Sequence, residues 1–135
     1  MSNSLPCRKT LQLSVQHVGQ ETLIYDEQTH KAFCLNAMAA AVWNRCDGAT
    51  TVPAIAASAA FALDLPMTED LVQFTLQELL RDGLLDAAVD FVPVSVVSRR
   101  QMMVKLGIGA AMAMPIIATI VAPKAAQAYN GCVDC

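Results

Sequence analysis

The sequence predicts an α+β domain in which a three-stranded antiparallel sheet is followed by three helices, with a hydrophobic helix near the C-terminus. Apolar and polar residues alternate near the N-terminus, three capping residues precede apolar helical stretches, and few residues are charged after Arg100. For 135 residues this pattern favours one domain with appendages. The predicted parts are a flexible N-terminus (1–10), the domain (11–86), a linker (87–98), a hydrophobic helix (99–124) and a C-terminal tail (125–135).

The three strands are predicted from short apolar runs separated by polar turns. Residues 11–15 alternate with a period of two, which is typical of a strand with one buried face, and Gly19 ends this run. Residues 22–25 form the second run and Lys31–Leu35 the third. A meander of three short strands is not stable alone, so we expect the helices to pack on it.

Three helix starts are predicted from residues whose side chains accept hydrogen bonds from free backbone N–H groups. These residues are Asn36, Thr51 and Thr68. The third helix is predicted to end at Arg81 or Asp82, because Gly83 suits a left-handed closing position. Its core face is formed by Val72, Thr75, Leu76 and Leu79.

Phe74 lies nearly opposite that core face in the helical projection, beside Gln77, Glu78 and Arg81. Two interpretations are open for it. It is either an exposed apolar residue or a contact with the tail, which is common for single side chains, or it is a contact for a bound peptide.

Charge excludes one class of partner. Residues 1–97 contain 5 basic and 11 acidic side chains, a net charge of −6. Nucleic-acid binding requires a basic surface, so the sequence favours a neutral or basic peptide partner instead. The chain has no phosphate-binding glycine loop, no Ser-His-Asp order and no paired carboxylates in an apolar setting, so we expect no enzyme activity, no metal and no cofactor.

Two stretches resemble the PqqD family. They read AFCLNAMAAAVWNRCDGATTVPAIAASAAF and LVQFTLQELLRDGLLD. The matching elements, in order, are Leu35-Asn36, Ala40, Val42-Trp43, Asp47-Gly48, Thr51, Ile55, Leu76, Leu79-Leu80 and Gly83. The resemblance covers about residues 11 to 86, and the chain continues well past the point where short members of the family end.

The resemblance implies a winged-helix-like domain that recognises ribosomally made precursor peptides. Such a domain binds the leader segment as an added strand and presents it to a modifying enzyme, often of the radical-SAM type; in the founding member the product is pyrroloquinoline quinone. The implied peptide-binding residues lie on the third strand and the third helix: Lys31, Ala32, Phe33, Cys34, Leu35, Phe74, Gln77, Glu78 and Arg81.

The residues themselves favour the same site. The third strand of a meander is a sheet edge, whose free N–H and C=O groups can pair with another chain. The alternative is that the extended, β-branched linker 87–97 covers this edge.

The tail admits three interpretations. Residues 106–122 carry no charge and are just long enough to span a membrane, and Met102–Val104 extend the apolar run, so the predicted membrane association covers residues 102–122. Arg99, Arg100 and Lys105 would keep the domain cytoplasmic, tethered to the inner membrane. The run Ser98–Met103 also resembles a twin-arginine export signal, with a cleavage-like site ending at Ala128. Alternatively, the tail packs on the domain as a helix.

The C-terminus carries Cys132 and Cys135, which together offer too few ligands for a closed zinc site. They form either a disulfide after translocation or a substrate for peptide modification. The latter leads to a second functional hypothesis, in which the protein is a precursor or carrier whose Cys-containing C-terminal peptide is processed or exported.

Overall fold

The computed structural model describes residues 5–86, 98–106 and 114–121, which form four strands and four helices. The strands are antiparallel in the order β1-β2-β3-β4. The elements are β1 (Leu13–Val18), β2 (Glu21–Asp26), β3 (Lys31–Leu35), α1 (Ala37–Asn44), α2 (Val52–Leu63), α3 (Glu69–Arg81), α4 (Arg99–Leu106) and β4 (Ile117–Val121). The predicted α+β class is therefore right, but the sheet has a fourth strand that the sequence analysis missed.

The first three strands form the predicted meander. A two-residue turn joins β1 to β2, with Gly19 at a φ of +63°, a conformation that favours glycine. The side chains of Ile24, Phe33 and Leu35 point inward and are buried in the core. Helix α1 contacts β2 and β3, so the helices supply the packing that the meander needs.

The three predicted helix caps are confirmed. The side chain of Asn36 accepts a hydrogen bond from the Ala39 backbone, Thr51 from Ala54 and Thr68 from Leu71. Gly83 has a φ of +74° just after α3, as its predicted closing role requires.

Part of the N-terminal segment, expected to be flexible, lies against the domain. The backbone N–H of Arg8 donates to Cys46 (2.8 Å) and that of Lys9 to Leu84 (2.9 Å). The indole Nε1 of Trp43 also donates to Leu84 (2.9 Å), and the Arg8 guanidinium lies 5.4 Å from the Trp43 ring centroid. These contacts join the N-terminus to both α1 and the segment after α3.

The part of the chain after residue 97, called the tail from here on, is not one hydrophobic helix in its described residues. Helix α4 covers only Arg99–Leu106, and residues 117–121 are a strand. Pro115 lacks the backbone N–H that a helix interior needs, and most of the residues after it are β-branched, which favours a strand. No helix within the described ranges combines the length and apolarity that crossing a bilayer requires. The prediction of a membrane-tethering C-terminal helix was therefore wrong.

The start of α4 has a local explanation. Ser98 Oγ accepts from the Gln101 backbone N–H (3.1 Å), and Gln101 Oε1 accepts from the Ser98 N–H (2.9 Å). This reciprocal pair is a capping box. Met102 of α4 is buried in the domain core, and Lys105 lies 3.4 Å from an Asp70 carboxylate oxygen at the start of α3. The described tail thus packs on the domain, and the twin-arginine interpretation gains no support from it.

A candidate peptide-binding edge on strand β3

The β3 edge, expected to be open, is paired with β4. The two strands run antiparallel in a register that places Leu35 opposite Ile117, Phe33 opposite Thr119 and Lys31 opposite Val121. The expectation of an open edge was therefore wrong. The alternative cover, linker 87–97, lies outside the described residues.

One hydrogen bond fixes which β4 groups face β3. The Asn36 backbone N–H donates to the Ile116 carbonyl (3.0 Å), which makes Asn36 and Ile116 a hydrogen-bonded pair. Because such pairs alternate along an antiparallel ladder, the next ones are Cys34 with Ala118 and Ala32 with Ile120. The N–H groups of Ala118 and Ile120 therefore point at β3, whereas that of Thr119 points away from the sheet.

The side chain of Asn36 also holds the segment that leads into β4. Its Nδ2 donates to the Met114 carbonyl (2.9 Å) and its Oδ1 accepts from the Ile116 N–H (3.1 Å). The same Oδ1 caps α1 by accepting from the Ala39 N–H (3.0 Å). One side chain thus couples the end of the sheet, the first helix and the tail.

Two apolar side chains anchor the segment before β4. Met114 is 1% exposed and belongs to the core, and Pro115 is buried. Along β4 itself, Ile117 is half-buried against the core, but the other described side chains of the strand are exposed. Those side chains belong to Ala118, Thr119 and Ile120. The strand is therefore held mainly through its backbone and through its leading residues.

The α3 side of the site differs from the prediction at Phe74. This ring is completely buried in the core and is not available to a partner. The predicted core face of α3 corresponds to a helix that is covered from one side only. Helix α4 contacts α3 as well, and its Met102 joins the same core, so the buried arc of α3 extends past Leu71 to Phe74 and Glu78.

The remaining predicted α3 residues lie near the tail. Glu78 is buried and pairs with the exposed Arg81, at 2.5 Å between Oε2 and Nη2. Both line a small polar cavity with Arg99 and Pro115, where Arg99 Nη1 donates to the Pro115 carbonyl (2.8 Å). Gln77 is half-buried on the same helix. The tail thus contacts both predicted groups: β4 pairs with β3, and Arg99 and Pro115 share a cavity with Glu78 and Arg81.

Two thiols of the described part, those of Cys34 and Cys46, are not poised for nucleophilic chemistry. Burial raises the pKa of Cys34, and the neighbouring Glu21 carboxylate, 3.6 Å from Sγ, raises it further. Burial raises the pKa of Cys46 to about 12. Both thiols stay protonated near neutral pH. Within the described ranges, no three His, Cys, Asp or Glu side chains gather closely enough to hold a metal ion.

A family model described as "Coenzyme PQQ synthesis protein D (PqqD)" matches residues 21–85. Residues 21–85 therefore form a PqqD-like domain. This confirms the resemblance drawn from the two sequence stretches, and the description of the family names coenzyme PQQ synthesis. No curated protein and no solved structure is detectably similar to the chain. The matched span begins at β2 and ends before the tail, so β4 comes from outside the PqqD match.

Proposed function

We propose that this PqqD domain binds a segment of a ribosomally made precursor peptide as an added antiparallel strand on β3, and presents the peptide to a modifying enzyme of the radical-SAM type. One observation carries the proposal. Strand β3 accepts an antiparallel partner whose residues are 82 to 90 positions distant in sequence and lie outside the family match. This edge is thus competent for strand addition, the recognition mode in which backbone hydrogen bonds supply affinity.

The geometry separates affinity from selectivity. Ala32 and Cys34 offer their N–H and C=O groups to the added strand, and each ladder hydrogen bond contributes a net ~0.5–1.5 kcal/mol for nearly any sequence. Selectivity then comes from the residues at the end of the β3 edge. The buried position now filled by Met114 suits a flexible apolar side chain, and Asn36 reads the backbone beside it.

The charge of the domain supports a neutral or basic ligand. Residues 1–97 carry a net charge of −6. Beside the edge, Glu78 is already paired with Arg81, so a further acidic side chain on the ligand gains little there. The strand now on the edge, residues 117–121, is uncharged.

The test frees the edge and then asks whether it accepts a strand. In the full chain, Ala118→Pro removes an N–H that faces β3 and should detach β4, whereas Thr119→Pro alters an N–H that faces away and is the matched control. A proline in β3 itself is unsuitable, because Phe33 is buried and its N–H faces β2.

Amide hydrogen exchange of Ala32 and Cys34, measured by NMR, then reports the edge. Both amides should lose protection in Ala118→Pro and regain it when a synthetic peptide of residues 114–124 is added, with a scrambled peptide as the control. The amides of Lys31 and Phe33, which pair with β2, should stay protected throughout. If the peptide restores no protection at Ala32 and Cys34 in a folded variant, strand addition on β3 is not the function.

A further inference from the structure

We infer that the resident ligand of this edge is the chain's own C-terminal segment: residues 114–121 bind in cis, so the protein carries its peptide ligand with it and excludes other peptides. This rests on the proposed function, because it assumes that β3 is the peptide-binding edge. It goes further in naming the occupant and in predicting intramolecular competition.

Strand β4 is less buried than β2 and β3. On the inner face of β2 and β3, the side chains of Ile24, Phe33 and Leu35 are at most 3% exposed. The corresponding face of β4 carries Ile117, which is only half-buried, and Thr119, which is exposed. This exposure is typical of an edge strand and is shared by β1 at the opposite edge, where only Leu13 is half-buried. Strand β4 is therefore held mainly through its backbone, as an added peptide is.

Most of the specific contacts of the segment lie just before β4. Met114 and Pro115 are buried, Asn36 exchanges side-chain hydrogen bonds with Met114 and Ile116, and Arg99 donates to the Pro115 carbonyl. These contacts fix the register of the strand by its N-terminal end.

The effective concentration of a tethered strand also favours binding in cis. A ligand joined to its own site by a short linker has an effective concentration of about 1 mM. For an intrinsic Kd of about 10 μM, the cis strand would leave about 1% of the sites open and would weaken any competing peptide ~100-fold. A modest affinity is therefore sufficient for nearly complete occupancy.

The test measures competition in the full chain. The probe is a synthetic peptide of residues 114–124 with a fluorophore on Lys124, beyond the paired strand, and binding is followed by anisotropy. Ala118→Pro should bind this probe at least ~10-fold more tightly than wild type, and the matched Thr119→Pro should bind it like wild type. Equal affinity in wild type and in a folded Ala118→Pro would overturn the cis inference while leaving the β3 site intact. No binding to a folded Ala118→Pro would instead reject the site itself.

A disulfide trap tests the same inference without relying on a proline variant. Ala118 lies opposite Cys34 with both side chains on the outer face, so Ala118→Cys should form a disulfide with Cys34. Thr119→Cys places its thiol on the other face and should not. Changing Cys7, Cys132 and Cys135 to Ser first removes the competing thiols other than the buried Cys46. Probe binding should vanish in the oxidised Ala118→Cys chain and return on reduction; failure of Cys34 to link to residue 118, by peptide mass mapping, would contradict the cis placement.

Discussion

Asn36 offers a way to loosen the tail while preserving the cap of α1. In Asn36→Asp, the carboxylate can still accept from the Ala39 and Ile116 N–H groups, as Oδ1 does now. It cannot donate to the Met114 carbonyl, which Nδ2 does at 2.9 Å, and it places a second acceptor oxygen against that carbonyl. Losing one partner of a buried hydrogen bond costs ~1–3 kcal/mol. We expect this cost to fall on the docking of the tail.

Amide hydrogen exchange, measured on the full chain under native conditions, shows which element loses this free energy. The N–H groups of Ala118 and Ile120 face β3 and open when β4 detaches. A loss of ~1–3 kcal/mol should make them exchange roughly 5- to 150-fold faster, since about 1.4 kcal/mol corresponds to a factor of ten. Amides of α1 should change little, and Asn36→Ala, which removes the cap as well, is the comparison that should also weaken α1.

Two outcomes would refute this reasoning. Unchanged exchange at Ala118 and Ile120 in Asn36→Asp would mean that the Asn36 contacts do not hold the tail. An equal acceleration of the β2 amides would mean that β4 opens only when the whole sheet unfolds, in which case it is an integral strand rather than a bound segment.

Three further predictions address the domain. Phe74→Ala should lower the unfolding free energy by ~3–5 kcal/mol, measured by urea denaturation, because the ring is fully buried; a stable variant that only loses peptide binding would restore the peptide-contact interpretation. Trp43→Phe should lose ~0.5–1.5 kcal/mol in the same assay, because it removes the indole hydrogen bond to the Leu84 carbonyl while the Lys9 N–H still donates to that oxygen, and an unchanged value would show that water replaces the indole. Burial raises the pKa of Asp26, but hydrogen bonds from Gln28, Lys9 and Thr29 outweigh burial and leave that pKa lowered. The carboxylate therefore stabilises the fold at pH values above its unfolded pKa. This stabilisation is lost as the pH falls through the lower pKa of the folded state. Asp26→Asn should flatten that acid-side loss in denaturation profiles between about pH 5 and 2, and an unchanged profile would rule Asp26 out as its source.

The parts of the fold that the sequence predicted are those determined by neighbouring residues. The caps at Asn36, Thr51 and Thr68 depend on a side chain and an N–H three residues ahead, and all three form. The meander likewise follows from alternation and from a turn at Gly19. Each of these signals lies within a few positions of the element that it specifies.

The errors arose where distant segments meet. Hydropathy treats residues 106–122 as a single apolar run, which hides the change from a helical to a β-branched composition at Pro115. That change was the available signal for β4. Nothing local to Ile117–Val121 indicates which strand it will join, because its partner residues lie 82 to 90 positions earlier. The burial of Phe74 was missed for the same reason, since a helical projection of α3 contains no information about α4.

The start of the tail shows how one sequence pattern can fit two physical roles. Export motifs and helix caps both use a polar residue before a run of helix-forming residues, so the sequence from Ser98 to Gln101 satisfies both. The structure gives each of three residues there a local role: Ser98 and Gln101 close the capping box, and Arg99 binds the Pro115 carbonyl. Through that last bond the start of α4 is tied directly to the segment that leads into β4. The same residues that resemble an export signal therefore help to hold the C-terminal segment on the peptide-binding edge.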